Sequence, residues 1–246
     1  MHREYTRIVP NAKTAVLMVH GIVGTPRHFD FLFSSIPEDV TVQNILLAGH
    51  GGCVSDFAKA SMTQWRQQVA FALEQLCASH ECVYIVAHSL GTLLTAEAAK
   101  AQPKVKGMLL LNVPLRVQVA PKMMAASLRW CFGTLRMDDP QDAALQRCSG
   151  VEATWQLWRY LPWIPRFWEL LTICKKTRGL FETELALPVY AFQSRDDEVV
   201  RRSTSKHLLK NDHICHTILP GCGHFFYSKE AKVQICKALR QLLEEA

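Results

Sequence analysis

Short apolar runs recur along the chain and end at turns rich in glycine or polar residues. Some of these runs, such as 14–19, are almost continuously apolar, which is typical of a strand buried on both faces of a parallel sheet. β-Branched and aromatic residues are frequent in them, as expected for strands. The pattern predicts strands at 14–19, 40–47, 83–86, 107–113, 188–193 and 214–219.

Segments with helical periodicity separate the predicted strands. After Ser61, apolar side chains recur at Trp65, Val69, Leu73 and Leu76, which lie on one face of a helix. Strands that alternate with helices at this rhythm predict an α/β fold with a doubly wound, mostly parallel sheet. In such sheets, ligands bind beyond the carboxyl ends of the strands. Further helices are predicted at 92–100, at 202–210 and from an N-cap at Ser228 to residue 244.

The alternation stops between residues 114 and 187. No strand pattern appears there, and five of the six tryptophans lie in this segment. We expect a helical cap, 114–187, inserted into an α/β core formed by 1–113 and 188–246. Trp155 and Trp158, three residues apart on one of its predicted helices, are expected to line an apolar substrate pocket. The alternative is that these aromatic residues only pack the cap onto the core. The predicted helices are 121–130, 140–148, 152–160 and 165–176.

Composition narrows the class of protein. The chain has 246 residues and a formal net charge of +6, and its basic residues are scattered without interleaved aromatics, so nucleic-acid binding is not indicated. The nine cysteines form no C-x-x-C pair and favour a reducing cytoplasm. We expect a cytoplasmic protein without a transmembrane segment, because no signal-peptide core follows the N-terminus and no run approaches ~20 apolar residues.

The pentapeptide Ala87-His88-Ser89-Leu90-Gly91 lies between a predicted strand and a predicted helix. It matches the nucleophile elbow G-x-S-x-G, with alanine in place of the first glycine. Small flanking residues suit this tight turn, and the helix N-terminus supplies free N–H groups where an oxyanion forms. Taken alone, the same segment could be a strand, a turn and a helix capped by a serine.

An acid and a base follow at the ends of later strands. Asp197 comes after the predicted strand 188–193, and His224 comes after 214–219. An imidazole can take the proton of a serine hydroxyl near neutral pH, and a carboxylate can orient that imidazole. The pattern therefore predicts the catalytic set Ser89, Asp197 and His224.

Other histidines and cysteines lie near the predicted catalytic residues. His20 and His50 lie on glycine-rich turns, where a structural hydrogen bond is the expected role. A metal site is the alternative for five nearby residues, but strand alternation puts Cys215 and His216 on opposite faces, and a metal would compete for His224. No metal and no cofactor are predicted. The five residues are His213, Cys215, His216, Cys222 and His224.

These motifs resemble those of the α/β-hydrolase superfamily, in which serine, acid and histidine occur in this order. More narrowly, they resemble its small bacterial carboxylesterase and monoacylglycerol lipase branch, although the resemblance is weak in the cap. It implies Asp197 rather than Asp196 as the acid, and the N–H groups of Ile22 and Leu90 as the oxyanion hole. The motifs are His20-Gly21-Ile22-Val23-Gly24, Leu46-Leu47-Ala48-Gly49-His50-Gly51, the pentapeptide at Ser89, Gln193-Ser194-Arg195-Asp196-Asp197-Glu198-Val199 and Gly221-Cys222-Gly223-His224.

The expected function is that of a serine hydrolase with an acyl-enzyme on Ser89. The expected substrate is a small carboxylic ester with an apolar part, either a short to medium acyl ester or a monoacylglycerol-like molecule. A thioesterase or a peptidase would use the same residues. A small-ligand receptor or a lyase on the same scaffold is the non-hydrolytic alternative, since a fold alone does not determine function. The sequence leaves the oligomeric state open.

Overall fold

Residues 2–244 are described by the structure, a computed structural model. They contain one seven-stranded sheet with the strand order β1-β3-β2-β4-β5-β6-β7. β1 pairs antiparallel with β3, and every other pair in the sheet is parallel. The strands are β1 Tyr5–Arg7, β2 Thr14–Val19, β3 Thr41–Ile45, β4 Cys82–His88, β5 Val105–Leu111, β6 Val189–Ser194 and β7 Ile214–Leu219.

All six predicted strands are present, and their ends differ from the prediction by at most two residues. The sequence did not predict β1. Its three residues are too few to show alternation, and they are extended because Tyr5, Thr6 and Arg7 pair with β3. The predicted α/β fold with a doubly wound, mostly parallel sheet is confirmed.

Helices cover both faces of the sheet. Ser61 and Ser228 cap two of them, since each hydroxyl oxygen accepts a backbone N–H, from Gln64 and Ala231, at 3.2 Å. The α-helices are α1 Val54–Lys59, α2 Met62–Ser79, α3 Leu90–Ala99, α4 Pro121–Cys131, α5 Pro140–Cys148, α6 Ile164–Lys176, α7 Ser205–Leu208 and α8 Lys229–Glu244. Pro26–Ser35, Leu157–Trp163 and Arg202–Thr204 are 3₁₀ helices, and Leu180–Glu184 is a π-helical turn.

Two apolar clusters hold the layers together, one on each face of the sheet. Along β2, Leu17 belongs to the first cluster, whereas Val16 and Met18 belong to the second. Both clusters exclude water, so β2 needs apolar side chains at every position and its sequence is continuously apolar.

The predicted 202–210 helix is shorter than expected, with one 3₁₀ turn followed by α7.

Between β5 and β6 the described chain contributes no strand to the sheet, and α4, α5 and α6 form there as predicted. The predicted helix at 152–160 is wrong. The N–H of Glu152 donates to the carbonyl of Gly52 at 2.9 Å, and Glu152 forms an isolated parallel β-bridge with Cys53, so the segment does not begin as a helix. A 3₁₀ helix, Leu157–Trp163, follows instead and contains Pro162.

Within the described residues, no helix combines the length and the apolar composition needed to cross a bilayer.

Candidate active site

Ser89 lies in a strained turn between β4 and α3. Its φ of 49° and ψ of −122° belong to the positive-φ region that residues other than glycine rarely adopt. The backbone N–H of Ser89 donates to the carbonyl of Leu111 at 2.9 Å, which anchors the turn to the end of β5. A sharp turn with this conformation presents the serine hydroxyl between the strand and the helix, as in a nucleophile elbow.

Two glycines allow the backbone to approach this turn closely. A Cβ on Gly91 would lie 2.2 Å from the carbonyl oxygen of Val19, so no side chain fits between α3 and β2. A Cβ on Gly21 would lie 2.8 Å from the Cβ of Ser89. The loop after β2 therefore passes directly beside the serine.

His224 connects Ser89 to Asp197. Its Nε2 lies 3.2 Å from the Ser89 Oγ, and its Nδ1 lies 2.9 Å and 3.1 Å from the two carboxylate oxygens of Asp197. Asp197 Oδ1 also accepts the backbone N–H groups of Val199 and Val200, both at 2.7 Å, and these bonds hold the carboxylate in place. All three candidate residues are buried.

The neighbouring acid points elsewhere. The side chain of Asp196 is half-exposed and lies 3.5 Å from the guanidinium of Arg202. The structure therefore brings Asp197, and not Asp196, to the imidazole of His224.

The backbone of His224 is held on both sides by groups that the sequence analysis did not identify. Its N–H donates to Glu198 Oε2 at 2.9 Å, and its carbonyl accepts the Asn112 amide at 3.1 Å and the His88 Nε2–H at 3.0 Å. The other oxygen of Glu198 pairs with Lys122 of α4 at 3.3 Å. A polar residue directly after the apolar strand β5 was the signal that could have pointed to Asn112.

The two loops predicted to supply the oxyanion hole meet beside Ser89. Leu90 is the first residue of α3, so its N–H precedes the hydrogen-bond ladder of the helix. Ile22 follows Gly21, which is the residue packed against Ser89. The carbonyl of Val23 accepts the N–H of Gly150 at 2.7 Å, so a residue of the 114–187 segment also holds this loop.

His20 and His50 support the backbone of these loops. His20 Nε2 accepts the N–H of Leu47 at 3.0 Å, so its Nδ1–H donates to the carbonyl of Gly21 at 2.8 Å. His50 Nδ1 donates to the carbonyl of Leu47 at 3.1 Å. Burial lowers the pKa of His20 well below its usual value and lowers the pKa of His50 to about 4.

Two more buried histidines stack on each other beside His224. The ring centroids of His28 and His88 are 3.8 Å apart, and the ring planes differ by 27°. Neither ring nitrogen of His28 has a hydrogen-bond partner within residues 2–244. Burial lowers the pKa of His28 to about 3 and that of His88 well below its usual value. Both rings are therefore neutral at neutral pH.

Because these rings are buried and neutral, we expect the folded protein to lose stability in acid. In the unfolded chain, His28 takes up a proton near pH 6.5, but in the folded protein it stays neutral down to about pH 3. Stability therefore falls as the pH drops below 6.5, by about 1.4 kcal/mol per pH unit for each such proton. Urea unfolding between pH 7.5 and 4.5 measures how the free energy of unfolding depends on pH. Below pH 6.5, we expect His28→Phe to reduce the slope of this dependence by about 1.4 kcal/mol per pH unit, because one proton fewer is taken up on unfolding. An unchanged slope in His28→Phe would contradict the prediction.

The tryptophans of the 114–187 segment differ in their surroundings. Trp163 is buried, its ring lies 4.4 Å from that of Phe57 of α1, and its Nε1–H donates to the carbonyl of Val54 at 2.8 Å. Trp155 and Trp158 contact each other edge to face but are 61% and 59% exposed. Residues 152–156 are not helical, and Trp158 lies in the 3₁₀ helix that begins at Leu157, so the two tryptophans do not share one α-helix. Their role as a pocket wall stays a prediction.

Several solved structures share this fold. One is a metagenome-derived lipolytic enzyme, 19% identical, with a TM-score of 0.73 over 99% of this chain and 98% of that one. Another is a soluble variant of the monoglyceride lipase of Saccharomyces cerevisiae, 12% identical, with a TM-score of 0.70 over 98% and 91%. The monoacylglycerol lipase of Paleococcus ferrophilus is 16% identical, with a TM-score of 0.66 over the full length of both chains.

At these identities the likeness concerns the fold alone. Comparison with curated proteins finds no significant match. The model of the alpha/beta hydrolase family, by contrast, matches residues 16–234, which run from within β2 past the end of β7 and include Ser89, Asp197 and His224. The chain belongs to the alpha/beta hydrolase family.

Proposed function

We propose that this protein is a serine hydrolase that cleaves carboxylic esters through an acyl-enzyme on Ser89. The observation that carries the proposal is the hydrogen-bonded line from Ser89 Oγ to His224 Nε2, and from His224 Nδ1 to Asp197. The positive φ at Ser89 supports it. Strained backbone costs free energy, and such residues are concentrated at active sites, where the surrounding structure holds them in place.

In the first half-reaction, Ser89 Oγ attacks the acyl carbon while its proton passes to His224 Nε2. The carbonyl oxygen becomes an oxyanion, which accepts hydrogen bonds from the backbone N–H groups of Ile22 and Leu90. Asp197 stabilises the imidazolium. The tetrahedral intermediate then collapses, the ester C–O bond breaks, and His224 donates its proton to the departing alkoxide.

In the second half-reaction, water replaces the alcohol. His224 takes a proton from this water as the water oxygen attacks the acyl carbon of the ester on Ser89. Collapse of the second tetrahedral intermediate releases the carboxylic acid and returns the proton to Ser89. Fixed N–H donors in a buried site stabilise both oxyanions more strongly than water would.

We assign the segment 114–187 to a cap over a core made of 1–113 and 188–246. Two contacts support this assignment. Gly150 of the segment binds the loop that carries Ile22, and Lys122 of α4 pairs with Glu198 beside His224. A cap in this place would select the substrate, whereas the core would carry the chemistry.

We also propose a cytoplasmic location, which the free state of all nine cysteines supports.

The substrate class is tested by comparing bond types. p-Nitrophenyl esters, acyl thioesters and peptide p-nitroanilides are offered to the same preparation, and a fluorophosphonate probe reports the reactive serine. We expect esters to give the highest kcat/KM and the probe to label the protein. Preferred turnover of thioesters or anilides would favour a thioesterase or a peptidase. A folded protein that neither reacts with the probe nor turns over any substrate would favour a non-hydrolytic receptor.

Acyl chain length tests the apolar part of the substrate. Each methylene buried in a pocket contributes about 0.8 kcal/mol, so kcat/KM should rise by up to about fourfold per carbon and then level off. We expect Trp155→Ala or Trp158→Ala to flatten this rise in a series of p-nitrophenyl esters. Trp168→Ala, a tryptophan of α6 outside the predicted pocket, serves as the control and should keep the wild-type slope. A flat wild-type series would contradict the apolar pocket.

A further inference from the structure

Exposed apolar side chains are concentrated in the 114–187 segment. Within residues 2–244, nineteen large apolar side chains are exposed, and thirteen of them lie in this segment. Scattered exposed apolar residues are normal, but a concentration of this kind marks a surface that binds another molecule.

Helix α6 carries the most regular part of this surface. Its inner face packs against α2 and α3 and buries Leu170, Ile173 and Cys174. Its outer face exposes Ile164, Trp168 and Leu171, which recur at helical spacing and are 61%, 71% and 48% exposed. The chain just before α6 adds exposed Trp155, Trp158 and Leu161.

The charges beside these residues are mostly positive. Between residues 155 and 178 there are five basic residues and one acidic residue. Lys175 and Lys176 follow the apolar row on α6, and with Trp168 and Leu171 they line one shallow depression. Lys175 and Lys176 are exposed, and none of the ion pairs formed within residues 2–244 involves them.

We propose that the outer surface of α6 (Ile164, Trp168, Leu171, Lys175 and Lys176) docks the protein onto an anionic lipid bilayer. Tryptophan is enriched at membrane–water interfaces, where its amphipathic ring sits at the headgroup level. Lysine next to an apolar helix face attracts anionic headgroups. Protein–protein interfaces are depleted in lysine, and a symmetric dimer through this surface would bring its positive charges together.

The inference is tested by co-sedimentation with lipid vesicles. We expect the wild-type protein to bind vesicles of phosphatidylcholine mixed with phosphatidylglycerol, to bind pure phosphatidylcholine vesicles more weakly, and to be released by salt. Trp168→Ser/Leu171→Ser and, separately, Lys175→Glu/Lys176→Glu should each weaken binding by about tenfold or more. Phe71→Ser, which removes an apolar residue of α2 that is 63% exposed, is the matched control and should bind like wild type.

Several results would overturn docking to an anionic bilayer: no vesicle binding by the wild type, equal binding to both vesicle types, or wild-type binding by the α6 variants. A dimer that dissociates in Trp168→Ser/Leu171→Ser and does not bind vesicles would show that a second copy covers the surface. The measurement is independent of turnover. Ser89→Ala should bind vesicles like wild type, and the α6 variants should still hydrolyse a soluble acetyl ester, so failure of docking and failure of the proposed hydrolase are distinguishable.

Discussion

Ser89→Ala is expected to abolish labelling by a fluorophosphonate and to lower ester turnover by several orders of magnitude, on the order of 10⁴-fold or more. The reason is that no other hydroxyl occupies the position 3.2 Å from His224 Nε2 in the described part of the chain. The remaining activity would come from the oxyanion donors and substrate binding, which the substitution leaves in place. Labelling and kcat/KM for a p-nitrophenyl ester measure the effect.

A control for this variant lies on a neighbouring strand. Ser194 ends β6, is buried, and its Oγ has no hydrogen-bond partner within residues 2–244. Ser194→Ala therefore removes a buried hydroxyl near the same sheet edge without touching His224. It should retain labelling and turnover within a few-fold of wild type. Undiminished turnover by purified Ser89→Ala would end the acyl-enzyme proposal.

The second large effect is expected at the acid. Asp197→Asn keeps the size of the side chain but replaces a carboxylate that accepts the Nδ1–H of His224 by an amide that can donate to it. An amide that donates favours the tautomer in which Nε2 carries the proton, so the ring can no longer take the proton of Ser89. We expect kcat to fall on the order of 10³-fold or more while KM changes little.

Asp196→Asn is the matched control, because it makes the same chemical change one residue away. The Asp196 carboxylate is half-exposed and is paired with Arg202, so the substitution should change kcat by no more than a few-fold. A larger loss in Asp196→Asn than in Asp197→Asn would show that the acid was assigned to the wrong residue. Circular dichroism and unfolding of both variants separate this effect from a loss of fold.

The sequence was most informative where a structural feature depends on neighbouring residues. Continuous apolar runs predicted β2 and β4 because strands buried on both faces need apolar side chains at every position. The elbow at Ser89 was predictable because its tight turn restricts the residues on either side. Asp197 and His224 follow different strands whose carboxyl ends lie at one sheet edge, so strand order was enough to expect them together.

The sequence was least informative where distant segments determine the structure. It predicted a helix at 152–160, but a hydrogen bond from Glu152 to Gly52, a hundred residues away, ties the start of this segment to another part of the chain, and helical structure begins only at Leu157. It gave no sign that Trp163 is buried whereas Trp155 and Trp158 are exposed, because periodicity does not reveal which face another segment covers.

The sequence by itself thus determined the order of strands β2 to β7, the tight serine turn and the identities of the candidate nucleophile, acid and base, since each depends on local periodicity or on residues next to one another. Only the tertiary structure decided how the backbone of His224 is held, by Glu198 on one side and by Asn112 and His88 on the other. It also decided that His28 is neutral and that α6 has an outer apolar surface. These properties arise from contacts between residues far apart in the chain, which no local pattern encodes.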